Sequence, residues 1–333
     1  MTTRRDFIHT LGAGAALATL HPLAAQAQSP AHAVEQVKIY YGFPAGSAGD
    51  NVARRVGEKL AGTPYSRNVG IVENKPGAGG RIALETLKTS PADGSVLALA
   101  QVSAIANYPH IYSKLNYTAQ DFAPISIGAI MHHGLAVGPM VPASVKTVKD
   151  YLAWAKAHPD LANYGSPGAG STPHFLGALL GISSGVELKH VPYRGTVPAV
   201  TDTVAGQIAS AIGPCGDFLA NYKAGKMRIL APSGPQRFPS LPEVPTFAEA
   251  GFPELTTEEW FGFYAPAKMP AKVQALANAA INAALKEKSV TDSLAIMGLI
   301  PHGTTQAEME RWQKAEYAHW GPIIKKIGFT ADS

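Results

Sequence analysis

Two glycine-rich turns, each leading out of a short apolar strand into a helical repeat, constrain this chain more than any other feature. The first joins Val37-Lys38-Ile39-Tyr40-Tyr41 to a helix marked by Val52, Val56 and Leu60, through Gly42-Phe43-Pro44-Ala45-Gly46-Ser47-Ala48-Gly49. The second, Gly165-Ser166-Pro167-Gly168-Ala169-Gly170-Ser171-Thr172-Pro173-His174, leaves the strand Asn163-Tyr164 and enters a helix around Phe175 to Leu180. Further strands are read at Ile71-Val72-Glu73, Val96-Leu97-Ala98-Leu99, Val186 to Val191 and Ile229-Leu230. Helices are read at Ile82 to Lys88 and Val148 to Ala157. Strands alternating with helices predict α/β units built on largely parallel sheet.

From Ala271 onward the pattern changes. Ala271 to Lys288 and Gln306 to Ile327 read as long helices with little strand signal between them, suited to cover a sheet laid down earlier. Two sheet-bearing units followed by a returning helical tail predict a first lobe from residues 35–137 plus 262–333 and a second from 138–261, with hinges near 135–140 and 258–264. No repeat of fixed period is visible.

The first residues set the compartment. Thr3-Arg4-Arg5-Asp6-Phe7-Ile8 is a twin-arginine pattern, the apolar run Leu11 to Leu20 follows, and Ala25-Gln26-Ala27 supplies a small-residue cleavage site. Residues 1–27 therefore read as an export signal, which places the mature chain in the periplasm. The 306 residues left suffice for two ordinary lobes, each with its own core.

Composition removes several functions. The 28 basic and 24 acidic residues leave a small, dispersed positive charge, not the footprint of a nucleic-acid binder. Cys215 is the only cysteine, so no internal disulfide or cysteine-based zinc cluster can form. The neighbours His132 and His133 point to opposite sides of an extended strand and have no carboxylate at ligand spacing, so no metal is expected. Gly77-Ala78-Gly79-Gly80-Arg81-Ile82 lacks the third glycine of a dinucleotide fingerprint, and no glycine-rich run ends in Lys-Ser or Lys-Thr. No cofactor is expected.

The two turns point to an anion. Where a loop feeds a helix, unpaired amides converge and the helix dipole favours negative charge. Glycines admit a ligand close to the backbone, and the hydroxyls of Ser166, Ser171 and Thr172 add orientable donors. Ser171 or Thr172 also suits a helix cap, with Pro173 in the first turn. Each turn alone is equally compatible with a structural role; two together, one per lobe, favour a carboxylate held between them. Gln101, Ser103, Tyr193 and Trp260 are candidate walls, although Tyr193 and Trp260 read equally well as core aromatics. The rival reading is a secreted serine hydrolase using Ser183 or Ser171 with a histidine. Gly181-Ile182-Ser183-Ser184-Gly185 has the spacing of a nucleophile elbow, but it follows a helix and precedes a strand, the reverse of the context that exposes such a serine.

The chain resembles the periplasmic receptors of tripartite tricarboxylate transporters, the Bug or TctC group, over its whole mature length. The resemblance is carried by Phe43-Pro44-Ala45-Gly46-Ser47-Ala48-Gly49-Asp50, Val72-Glu73-Asn74-Lys75-Pro76-Gly77-Ala78-Gly79-Gly80, Pro91-Ala92-Asp93-Gly94 and Asp121-Phe122-Ala123-Pro124. It continues through His190-Val191-Pro192-Tyr193-Arg194-Gly195, Ala224-Gly225-Lys226, Leu241-Pro242-Glu243-Val244-Pro245-Thr246 and Trp260 to Pro266. It implies two α/β lobes of the type II periplasmic binding protein kind, with a cleft between them. It also implies an organic acid as ligand, delivered to membrane permease subunits; the chain is expected to act as a monomer and to capture its ligand without chemistry. The ligand carboxylate would be held by loops mapping to 43–49 and 166–172. Together the two loops, the candidate walls and the nearby acid give the candidate site Phe43, Ala45, Gly46, Ser47, Gln101, Ser103, Ser166, Gly170, Ser171, Thr172, Tyr193 and Asp217. Two departures stand out. Where many members carry an acid at the end of a strand, this chain reads Ile208-Ala209-Ser210-Ala211-Ile212-Gly213, with Asp217 the nearest acid. Ala45 and Ser47 stand where proline and glycine are frequent.

Overall fold

The computed structural model describes residues 32–331, and two separate sheets organise them. The export segment read at 1–27 lies outside the described residues. The first half of the chain gives β1 (Lys38–Tyr41), α1 (Ala48–Glu58), β2 (Ile71–Asn74), α2 (Arg81–Lys88), β3 (Val96–Gln101), the single turn α3 (Ser103–Ala106) and β4 (Phe122–Met131). Next come β5 (His133–Val137), α4 (Val148–Ala157), β6 (Asn163–Ser166), α5 (Thr172–Ser184), β7 (Lys189–Pro192), α6 (Thr196–Val204), β8 (Ser210–Pro214), α7 (Cys215–Lys223) and β9 (Arg228–Pro232). The chain closes with β10 (Glu259–Pro266), α8 (Ala271–Ala284), α9 (Lys288–Ile296), β11 (Ile300–Pro301) and α10 (Gln306–Ile327).

Strand order is β11-β4-β10-β3-β1-β2 in the first sheet and β7-β6-β8-β5-β9 in the second. Both are mixed, which corrects the largely parallel expectation. β1 runs parallel to β2 and β3, and β6 to β7 and β8, but β10 is antiparallel to β3 and β4, and β5 to β8 and β9. The parallel pairs are the ones the alternating helices connect; the antiparallel strands are those on which the chain passes between the sheets.

Each sheet is covered on both faces. Along β10 the side chains alternate as a pleated strand requires: Phe261, Phe263 and Ala265 join one core with α1, α8 and α9, while Trp260 and Tyr264 join another with α2, α3 and α10. Val52, Ala53 and Val56 of α1 form the stripe that the sequence spacing announced. In the second lobe α4 and α5 cover one face and α6 and α7 the other. Ile323 and Ile327 of α10 touch the cores of both lobes.

The sheet membership moves the expected boundaries. β5 pairs with β8 and β9, so residues 133–137 belong to the second sheet, and Glu259–Phe261 belong to the first. The chain changes sheets at the single residue His132, and returns between β9 and β10. No linker composition marks the first crossing, because β4 and β5 are nearly continuous. The helix read over 271–288 ends at Ala284, and a second, α9, begins at Lys288.

At the crossing the strands are tied by side chains. His132 Nε2 lies 2.8 Å from Glu258 Oε1, and His133 Nε2 lies 2.6 Å from Glu259 Oε2. The second pair is almost wholly enclosed, with side-chain exposures of 0% and 2%. A buried pair of this kind is expensive to break, because the survivor is left uncompensated.

Candidate functional site

The first glycine-rich turn forms the N-terminal approach to α1. Gly46, with φ of +83°, takes the left-handed conformation that lets the loop reverse. Ser47 is the N-cap by position, but its hydroxyl donates back to Pro44 O at 2.7 Å and does not cap the helix. The loop's anion-binding capacity is engaged by the protein's own carboxylates. Asp50 Oδ2 accepts the Gly46 amide at 2.9 Å and Arg54 Nε at 2.9 Å, while its other oxygen accepts from Asn74 at 2.8 Å. Burial raises the Asp50 carboxyl, but the bonds from Arg54, Gly46 and Asn74 outweigh it and hold the group below its usual range.

The second carboxylate comes from the other lobe. Asp217, in the first turn of α7, places Oδ1 2.9 Å from the Ala48 amide at the start of α1. Its side chain also accepts from Thr196. Enclosure between the lobes pushes the carboxyl up to about 6, with the bonds from Ala48 and Thr196 acting in the opposite direction. An acid of lobe 2 thus sits on the helix terminus where an organic anion was expected.

The second turn caps α5. Ser171 is the N-cap, its hydroxyl accepting the His174 amide at 3.4 Å and donating to Gly168 O at 2.7 Å. Gly170, in the left-handed conformation, donates its amide to His174 Nδ1 at 3.1 Å. Ser166 Oγ lies 2.7 Å from His190 Nε2, and the rings of His174 and His190 stack with centroids 3.9 Å apart. Burial drives His174 down to about 4, and burial together with His174 drives His190 down to about 3, so both rings are neutral near pH 7.

The lobes meet along these loops. A Cβ on Gly195, in the turn before α6, would fall 2.7 Å from Pro44 Cδ, and one on Gly168 would fall 3.5 Å from Gly79 Cα. Asn107, just after α3, reaches Thr172 Oγ1 of the opposite lobe at 3.5 Å. Arg194, the cation nearest to this junction in sequence, is exposed.

The residues read from the sequence divide accordingly. Ser47, Asp217, Ser166, Gly170, Ser171 and Thr172 are brought to the junction, with Gly46 and Ala45 at its exposed lip. Gln101 ends β3 and Ser103 opens α3 on the lobe 1 side, both buried. Phe43 packs on Tyr41, ring centroids 5.6 Å apart, beneath the loop. Tyr193 turns inward: its hydroxyl donates to Asp202 at 2.8 Å within lobe 2, and burial with that bond pushes it up to about 12. Trp260 is a core residue at 2% exposure. Asn107 and Thr196 were missed; a lone polar residue closing the apolar run Ala104-Ile105-Ala106 was the available signal for Asn107.

Comparison with known proteins fits this architecture. Residues 52–329 match the profile described as the tripartite tricarboxylate transporter family receptor. The chain belongs to that family. The receptor is 28% identical to the protein BugT of Bordetella pertussis over 314 residues, covering 92% of this chain and 93% of the relative. It superposes on a structure described as a periplasmic transporter with a TM-score of 0.83 at 32% identity, over 89% of this chain and 98% of the other. It also superposes on the R. palustris protein Rpa4515, solved with adipate, with a TM-score of 0.81 at 30% identity, over 90% and 99%. The two-lobed fold expected of the family is the one observed.

Proposed function

We propose that this receptor works in the periplasm, captures an organic carboxylate between its lobes and passes it to membrane permease subunits of a tripartite transporter. The observation that carries the reading is the Asp217 carboxylate on the Ala48 amide: the start of α1 already takes a carboxylate across the lobe junction, held by a backbone donor and the helix dipole. A ligand carboxylate would displace Asp217 and use the same amide, with the α5 terminus closing on it. Adipate on Rpa4515 supports an organic acid as the guest. Export through the segment 1–27 belongs to the same proposal.

Capture proceeds without chemistry. Ser183 lies exposed in the last turn of α5, and Ser171 is committed to capping. Ser166 does contact an imidazole, but His190, held near 3, is too weak a base to take a hydroxyl proton at neutral pH.

A thermal-shift screen of mono-, di- and aromatic carboxylates, opened with adipate, tests the reading. A ligand at about one hundred times its Kd should add about 2.7 kcal/mol. Absence of any shift across the panel, or hydrolysis of a generic ester by the folded protein, counts against it.

A further inference from the structure

Ser103 and Asn107 stand one helical turn apart where the chain leaves β3 for the lobe junction. Each presents a polar atom, Ser103 Oγ and Asn107 Oδ1, that is enclosed and has no hydrogen-bond partner. Their residues are 1% and 0% exposed. A buried hydroxyl or amide in that condition carries its full desolvation penalty, so each such group calls for a reason. The side chain of Asn107 is directed across the junction, its Nδ2 reaching 3.5 Å from Thr172 Oγ1 at the start of α5. Behind the pair stands Glu259, whose Oε1 accepts the Ser103 amide at 3.3 Å while Oε2 faces His133.

This deepens the carboxylate reading above and rests on it. We propose that Ser103 and Asn107 form an inner subsite of the cleft that takes a hydrogen-bond-donating substituent, a hydroxyl or an ammonium, carried by the carboxylate ligand. A donor placed there satisfies Asn107 Oδ1 and can pair with Ser103 Oγ, and it is favoured by the Glu259 carboxylate. A second carboxylate would meet Glu259 with no lysine or arginine in the group to offset it. An alkyl substituent would leave both polar atoms unpaired, and a site built to hydrogen-bond a substituent discriminates strongly against ligands that lack it. The preferred ligands are therefore hydroxy or amino acids, ahead of plain fatty acids and α,ω-dicarboxylates.

The test is calorimetric titration of the mature receptor with matched three- to six-carbon acids: unsubstituted, hydroxy, amino and α,ω-dicarboxylic. The best hydroxy or amino acid should bind at least about tenfold tighter than its unsubstituted match. Ser103→Ala and Asn107→Ala should erase that advantage, weakening binding of the substituted acid far more than of its unsubstituted match. The hydroxy and amino arms separate the two donors. Because Ser103 Oγ has no protein partner, Ser103→Ala should keep or raise the melting temperature of the unliganded protein, so it reports even where Asn107→Ala folds poorly. Tightest binding of a dicarboxylate, or equal losses for all acids in the variants, overturns the subsite. Equal affinities in the parent assign the two side chains to water alone and also overturn it. If no acid of any class binds, the carboxylate reading itself fails and the subsite falls with it.

Discussion

Asp217 of lobe 2 and Ala48 of lobe 1, 169 positions apart in sequence, are joined by one hydrogen bond of 2.9 Å that closes the cleft over the start of α1. On the proposed reading the bond makes the receptor's own carboxylate a competitor for the ligand's. It also makes closure sensitive to protonation, since Asp217 is pushed from an ordinary 3.8 to about 6.

Between those two values the folded, closed form holds a proton that the unfolded chain has released, so this group's contribution to stability falls as pH rises from about 4 to about 6. Asp217→Asn, which cannot ionise, should remove that dependence. At pH 7.5 the variant should melt about 2–4 °C above the parent if relief of the buried charge is worth about 1 kcal/mol, and the gap should narrow towards pH 4. Carboxylate affinity at pH 7.5 should rise several-fold. Thermal melts and titrations at both pH values check this; weaker binding in the variant would mean that Asp217 contacts the ligand directly.

Gly195 stands where the two lobes approach closely, against Pro44. Its φ of +118° and the 2.7 Å approach of a Cβ to Pro44 Cδ mean that Gly195→Ala holds the lobes apart. Small-angle scattering should give a larger radius of gyration for the unliganded variant, and carboxylate affinity should fall about tenfold or more, the equivalent of about 1.4 kcal/mol. Gly185→Ala is the control. That residue is also left-handed, with φ of +66°, but has nothing within 4 Å of the added carbon, so it should cost about 1–2 kcal/mol of stability and leave scattering and binding unchanged.

Cys215 is fully buried beneath the junction, and burial, aided by Asp217, pushes its thiol far above the ordinary range. The native protein should not react with a thiol reagent such as 5,5′-dithiobis-(2-nitrobenzoate) at pH 8, while the urea-unfolded protein should release one equivalent. Rapid labelling of the folded form would show that the junction opens further than the Asp217 bond allows.

Export is expected to follow the arginine pair. Replacing Arg4 and Arg5 together by lysine should leave precursor in the cytoplasm, and cell fractionation with an antibody to the mature chain reads this directly. Unimpaired processing of the double variant through the same route removes the twin-arginine assignment.

What the sequence disclosed follows physical lines. β1 and β6 were legible because each runs into a glycine- or proline-bearing turn, β3 because an apolar run follows the Asp93-Gly94 turn, and α1 because Val52 and Val56 keep helical spacing. β10 was not: Trp260-Phe261-Gly262-Phe263-Tyr264 is buried on both faces and lacks the alternation of a half-exposed strand, so it passed for a hinge. The crossing at His132 left no trace because one residue needs no linker composition. In the site, the loops announced themselves through glycine and hydroxyl content, which is a local property. The occupation of α1 by Asp217 is a contact between distant segments, and no local pattern encodes it. Tyr193 misled for a related reason, since its polar end found Asp202 inside its own lobe.

The position of β10 between β4 and β3 also fixes an order of assembly. A chain emerging from the ribosome can complete the five strands of the second sheet once residue 232 is available. The first sheet, begun earlier with β1 to β3, lacks the strand that joins β3 to β4 until residue 266. Through that interval β3 and β4 expose unpaired edges to any neighbouring extended chain, a recognised route to aggregation. The discontinuous lobe is therefore the one that a holding chaperone would have to protect.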